Sequence, residues 1–198
     1  MRDGNIISIP RPTSYKDCIA LIQSDCYRIT GKVENVCKIW WKSIFNHYVR
    51  FHFWFRMASY KGLLYPICLV MFCRVRSKYH IVMSPRQMVG WGFYTGANPC
   101  VICISPAAII GNNVNISQIS NFGTNSGKRA IIGDNVYIGP MTCLIEDVHI
   151  GNDSIIGSGA VVTRDIPSGK TAVGSPAKVI GENKHPSFVN HRWPIEKQ

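Results

Sequence analysis

No stretch of this 198-residue chain is apolar over the roughly 20 residues that a helix needs to cross a bilayer. The longest apolar run, GLLYPICLVMFC, covers only residues 62–73, which is too short to be a transmembrane helix by itself. The opening MRDGNIISIPRPTS has no continuous apolar core followed by a small-residue cleavage site, so no signal peptide is expected and the mature protein is expected to begin near Met1. The eight cysteines lack the spacing of a small disulfide-stapled domain, which favours reduced thiols in an intracellular setting. Cys100 and Cys103 form a lone C-x-x-C with neither a second pair nor a nearby histidine, so they read as strand cysteines and no metal is expected.

Acidic residues are also scarce. Eleven Asp and Glu face 22 Lys and Arg, a formal net charge of +11, and residues 1–80 hold 13 basic against 4 acidic residues. Such an excess attracts phosphate-bearing partners, which include nucleic acid, anionic lipid and phosphorylated small molecules. With no zinc-finger spacing and no aromatic RNP-type strand, nucleic acid is not an expected partner.

What is present falls into two regimes. Residues 14–29 place Cys18, Leu21, Ile22 and Cys26 at helical spacing behind a cap at Ser14 or Thr13, with Gly31 as the stop. A second helical region is expected over 35–60 and a third over 62–79, with Pro66 in its first turn or at a kink. Aromatics interleave with Lys38, Lys42, Arg50, Arg56, Lys61, Arg74, Arg76 and Lys78. This pattern fits either an amphipathic face lying on anionic membrane or a helical core with a basic solvated face.

After residue 80 a six-residue clock takes over: Ile132, Ile138, Leu144, Ile150, Ile156 and Val162 recur without a slip, followed four positions on by Val136, Thr142, Val148, Ser154, Ala160 and Ile166. Ile104, Ile110, Ile116 and Phe122 keep the same period, and the phase resets across GTNSGKRAI at 123–131, which reads as an inserted loop. An α-helix would scatter these aliphatics around its circumference, whereas short strands with one inward residue each and small residues at the corners use the period fully. The expected fold is α+β: a basic N-terminal helical segment at 1–80, a parallel β-helix at 81–181 and a polar tail at 182–198.

DCYRITGK (25–32), IIGNNVNISQ (109–118), IIGDNVYIGP (131–140), IIGSGAVVTRDIP (155–167) and AVGSPAKVIG (172–181) together resemble the serine acetyltransferase family of hexapeptide-repeat acyltransferases. The resemblance implies a left-handed β-helix, assembly as a homotrimer, and acetyl transfer from acetyl-CoA to a hydroxyl of serine or a sugar in the cytoplasm. Its closest flavour, the shorter proteins associated with surface-polysaccharide synthesis, leaves room for peripheral contact at the inner face of a membrane. The corresponding CoA-binding positions are Ser158, Thr163, Arg164 and Lys178, where cations suit phosphates.

A hydroxyl needs a positioned base, and the family carries a histidine in a segment of the form YIGH. In GFYTGANPC (92–100) that position falls on Ala97 or Asn98, and a second family histidine is replaced within KRA at 128–130. His149, the one histidine within the repeat, is the remaining catalytic candidate. It precedes inward Ile150, so its side chain is expected outward on the exposed surface, near Glu146 and Asp147. Lys128 and Arg129 could serve either substrate. Two functions follow: an acetyltransferase, or a degenerate trimer that binds CoA or a partner enzyme without turnover. A γ-class carbonic anhydrase-like enzyme would need more histidines than the repeat holds.

Overall fold

The computed structural model describes residues 9–96, 101–124 and 127–195. Four helices come first: α1 (Tyr15–Thr30), α2 (Val36–Phe45), α3 (His47–Met57) and α4 (Tyr65–Lys78). Ser14 starts α1 through a capping box, its hydroxyl accepting from the Asp17 N–H at 3.2 Å while the Asp17 carboxylate accepts from the Ser14 N–H at 3.0 Å. Gly31 ends the helix at φ 66°, in the left-handed region where glycine carries no steric penalty. The helical region expected over 35–60 is two helices. Asn46 is extended, and its side-chain oxygen accepts from the Val49 N–H at 3.2 Å, so it stops α2 and caps α3. Pro66 lies in the first turn of α4, where its missing N–H costs nothing. No helix among the described residues is long and apolar enough to cross a membrane.

From Ile81 the chain winds into a left-handed parallel β-helix. Its first face stacks strands 81–82, 102–104, 121–123, 143–145 and 161–162; its second stacks 88–89, 109–110, 131–132 and 149–150; its third stacks 115–116, 137–138, 155–156 and 170–173. Strands this short have little twist with which to enforce the usual right-handed crossover. Antiparallel strand Lys178–Glu182 closes the third face. The ten residues of the six-residue clock from Ile104 to Val162, nine aliphatic and one the aromatic Phe122, are all at most 1% exposed and form one sealed apolar column. Ile131 pairs with His149, eighteen residues ahead, but with Ile109, twenty-two residues behind. The four extra residues are the inserted loop, placed where the first face turns into the second.

We call that turn the first corner, the turn from second to third face the second corner, and the turn into the next coil the third corner. The second corner is built from Asn, Asp and Gly. Asn112 Oδ1 accepts from Trp91 N–H at 2.9 Å, Asp134 Oδ1 from Asn112 N–H at 2.7 Å and Asn152 Oδ1 from Asp134 N–H at 2.8 Å, a ladder that satisfies each turn from the coil above. Gly111 is needed there, because a Cβ would stand 2.5 Å from the Gly133 carbonyl oxygen. Burial raises the Asp134 carboxyl above the usual carboxylate range.

The helices cover the open edge of the first coil. Arg56 donates to the carbonyls of Val89 (3.0 Å) and Gly90 (2.6 Å), and Tyr48 to that of Phe93 (3.1 Å). Buried Arg28 donates to Gly92 O, Asn115 Oδ1 and Asn190 O at 2.7–2.9 Å. Burial pulls its guanidinium down to about 10, which leaves it charged at neutral pH. The segment after Glu182 folds back along the coils: Phe188 O accepts from Asn115 Nδ2 at 2.7 Å, Trp193 N–H donates to Asn113 Oδ1 at 2.7 Å, and the Trp193 ring stacks on Trp91.

Candidate functional site

The sequence-derived candidates divide between two corners. Thr163 and Arg164 leave the strand Val161–Val162 and enter a first-corner cleft of about 410 Å³, lined also by Asp147, Val148 and Asp165. The inserted loop leans on this corner, with Lys128 Nζ 3.4 Å from Asp147 Oδ2 and the Thr124 hydroxyl donating to Glu146 Oε2 at 3.2 Å. The cleft is therefore of mixed charge. Arg164 shares the lining of the cleft with the carboxylates of Asp147 and Asp165.

His149 begins the next strand. The expectation of an exposed histidine is overturned: His149 is 8% exposed. The reason is the coil above it. Asp165 Oδ1 accepts from the His149 N–H at 2.9 Å, and the His149 carbonyl accepts from the Ile166 N–H at 2.8 Å, so residues 165–166 run over the histidine. An outward direction on a solenoid does not ensure access to water when an adjacent coil covers it.

Ser158 lies at the third corner, exposed beside Gly159. Along this corner Gly96, Ile119, Met141 and Gly159 occupy successive coils at φ between 61° and 78°. For glycine this is free, but for a β-branched isoleucine it is strained. The segment 174–177 carries the corner into the last turn, with Ala177 N–H donating to Val161 O at 2.8 Å, and delivers Lys178 to the closing strand. Ser158 and Lys178 thus sit before the strand Val161–Val162, and Thr163 and Arg164 after it. The four residues between Ser158 and Thr163 are a corner at Gly159 and the strand Val161–Val162, so the two pairs stand at opposite ends of one face. Ala97 and Asn98 lie outside the described residues, as does Cys100; the described chain reaches Gly96 at the foot of the third corner.

Immediately before that point stands a polar cluster that spacing along the repeat did not reveal. Asp25 Oδ2 accepts from Arg56 Nε at 2.8 Å and lies 3.0 Å from His52 Nδ1; Oδ1 accepts from Arg56 Nη2 at 2.9 Å and from the Phe93 N–H at 2.8 Å. His52 Nε2 is 3.2 Å from the Thr95 hydroxyl. Asp25, His52 and Thr95 are all fully buried. Burial alone would raise the Asp25 carboxyl, but Arg56 and the His52 ring hold it below the usual carboxylate range. Burial pulls the His52 imidazole down. The cluster has the order carboxylate, imidazole, hydroxyl, but with no exposed atom it positions the chain at 93–96 and offers no open nucleophile. Its signal in the sequence was the four-residue spacing of His52 and Arg56, which puts both on one side of α3.

Residues 129–164 match the family model for the bacterial transferase hexapeptide (six repeats). The chain is 34% identical over 117 residues to the mitochondrial serine acetyltransferase 3 of Arabidopsis thaliana, covering 57% of this chain and 30% of that protein. Its fold superposes on the Neisseria gonorrhoeae serine acetyltransferase in complex with serine at TM-score 0.67, with 23% identity over 82% of this chain and 69% of the other. The Brucella abortus serine acetyltransferase in complex with coenzyme A gives TM-score 0.65 at 18% identity over 85% and 68%. The chain thus carries a hexapeptide repeat and is similar to serine acetyltransferases in sequence and fold. It spans less than half the length of the Arabidopsis relative, and the solved structures share its helices followed by a β-helix.

Proposed function

We propose that this serine acetyltransferase-like chain is an acyltransferase that moves an acetyl group from acetyl-CoA to a hydroxyl of serine or a sugar, working as a homotrimer. The observation that carries this is the division of the candidate residues between two corners of one β-helix. Ser158 and Lys178 belong to the third corner and Thr163 and Arg164 to the first, so a cleft using all four forms where the first corner of one copy meets the third corner of the next. Arg164 and Lys178 supply the cations that an anionic, phosphate-bearing donor requires. The Gly96 to Gly159 column gives an elongated donor a path along the third corner from the last coils to Gly96. Seven free thiols among the described residues suit the reducing cytoplasm, where we place the reaction.

In the reaction a base takes the acceptor's hydroxyl proton, the oxygen bonds to the thioester carbonyl carbon, the carbon–sulfur bond breaks and the thiolate leaves as CoA after taking a proton. His149 is our candidate base, working with the neighbouring carboxylate of Asp165. Its burial favours a second reading, in which the chain binds CoA or a partner enzyme without turnover. Thiol-detected CoA release, with L-serine and a panel of sugars as acceptors, separates the two. The acetyltransferase reading expects turnover by the native protein and its loss in His149→Gln. Binding of CoA with no release by the native protein, and release restored by Ala97→His, establishes the second reading.

A further inference from the structure

The helical layer leaves apolar surface uncovered where a folded domain would bury it. On α2 the inward side is set by Ile39 and Ser43, both buried. On the opposite side Trp40 is 50% exposed, Trp41 61% and, one turn on, Phe45 69%, with Ile44 beside them. Trp40 and Trp41 border an apolar groove of about 510 Å³ whose floor includes Val36 and Phe53. On α4 and the turn before it, Leu63 (93% exposed), Ile67 and Val70 form a stripe at helical spacing that continues into exposed Arg74 and Lys78.

The charge around these faces is of one sign. No Asp or Glu occurs between Glu34 and Asp134, so every charged side chain on α2, α3 and α4 is basic. Glu34 is shared by Lys38 at 3.3 Å and Lys42 at 2.6 Å, which leaves the start of α2 net positive. A second copy docked on this surface would set like charges against each other. An anionic bilayer satisfies both properties at once, because its headgroups attract the Lys and Arg residues while tryptophan and phenylalanine enter the boundary between headgroups and acyl chains.

We propose that the exposed faces of α2 and α4 bind the surface of an anionic membrane, holding the β-helix beside it without spanning it. The proposal is independent of the transferase reading, since it uses none of the corner residues. The test is sedimentation of the full chain with vesicles of phosphatidylcholine alone and of phosphatidylcholine containing phosphatidylglycerol. Expected are binding to the anionic vesicles only, release by added salt, and a blue shift of tryptophan emission in the bound state. Trp40→Ser with Trp41→Ser should lower binding about ten-fold, and Leu63→Ser with Ile67→Ser should lower it by a smaller factor, with unchanged circular dichroism. Equal partitioning into both vesicle types, or none into either, overturns the proposal. So does a native chain that ignores vesicles but dissociates to smaller particles when Trp40 and Trp41 are replaced, which would assign the face to a second copy.

Discussion

The helical layer and the β-helix are stabilised by different means. In the β-helix a single apolar column is sealed from end to end, and its polar residues serve the corners. In the helical layer a carboxylate, two guanidinium groups and an imidazole are buried at the junction, while aromatic side chains are left outside. The repeat obtains its specificity from period, so each coil vouches for the next. The helices obtain theirs from a few charged contacts with the backbone of the first coil, each of which is difficult to replace.

Substitutions that interrupt the two devices should therefore differ in kind. Asp25→Ala strips Arg56, His52 and the Phe93 N–H of a common acceptor and leaves a buried guanidinium unpaired. It is expected to cost about 3–5 kcal/mol and to detach the helices before the coils melt, as followed by urea unfolding with separate helical and strand signals. Leu144→Ala opens a cavity in the sealed column, with an expected loss of about 2–5 kcal/mol in one cooperative transition. If both variants unfold in one identical step, the two regions are a single cooperative unit and the contrast fails.

Acid should act on the junction first. The His52 pKa is lowered from its ordinary value of 6.5, so the unfolded chain binds a proton there more readily than the folded one. Stability is then expected to fall as pH drops below 6.5 towards the folded value. Asp25 is lowered from 3.8, and its contribution, present above that value, is lost as pH falls further through its folded value. Melting temperatures across this range should show His52→Gln with a flatter dependence than the native chain between neutral pH and the carboxylate range; an identical slope would remove His52 from the account. The smallest effect belongs to the third corner. Met141→Gly gives that coil the residue that Gly159 already supplies one coil later, and relief of the left-handed strain at φ 61° should stabilise the protein by about 0.5–1 kcal/mol.

The coils could be read from the sequence because their signal repeats: the inward positions, the phase break at 123–131 and the small corner residues were all visible by spacing. The boundary at Asn46 was not, since an asparagine within an aromatic run gains its meaning from a cap that only the folded backbone reveals. The direction of His149 was legible, but its access to solvent was not, because the covering residues 165–166 come from another coil. Ser158, Thr163, Arg164 and Lys178 could be named from resemblance, while their separation by a strand had to be seen in three dimensions. Asp25, His52 and Thr95 come from three distant parts of the chain, and no period links them.

The strap formed by residues 188–193 also bears on the order of events during synthesis. Arg28 of α1 rests on Asn190 O, and Trp91 of the first coil on Trp193, contacts that join the beginning of the fold to a segment made more than a hundred residues later. The coils can therefore stack from local contacts alone, whereas Arg28 gains its full set of three acceptors only when the strap is in place.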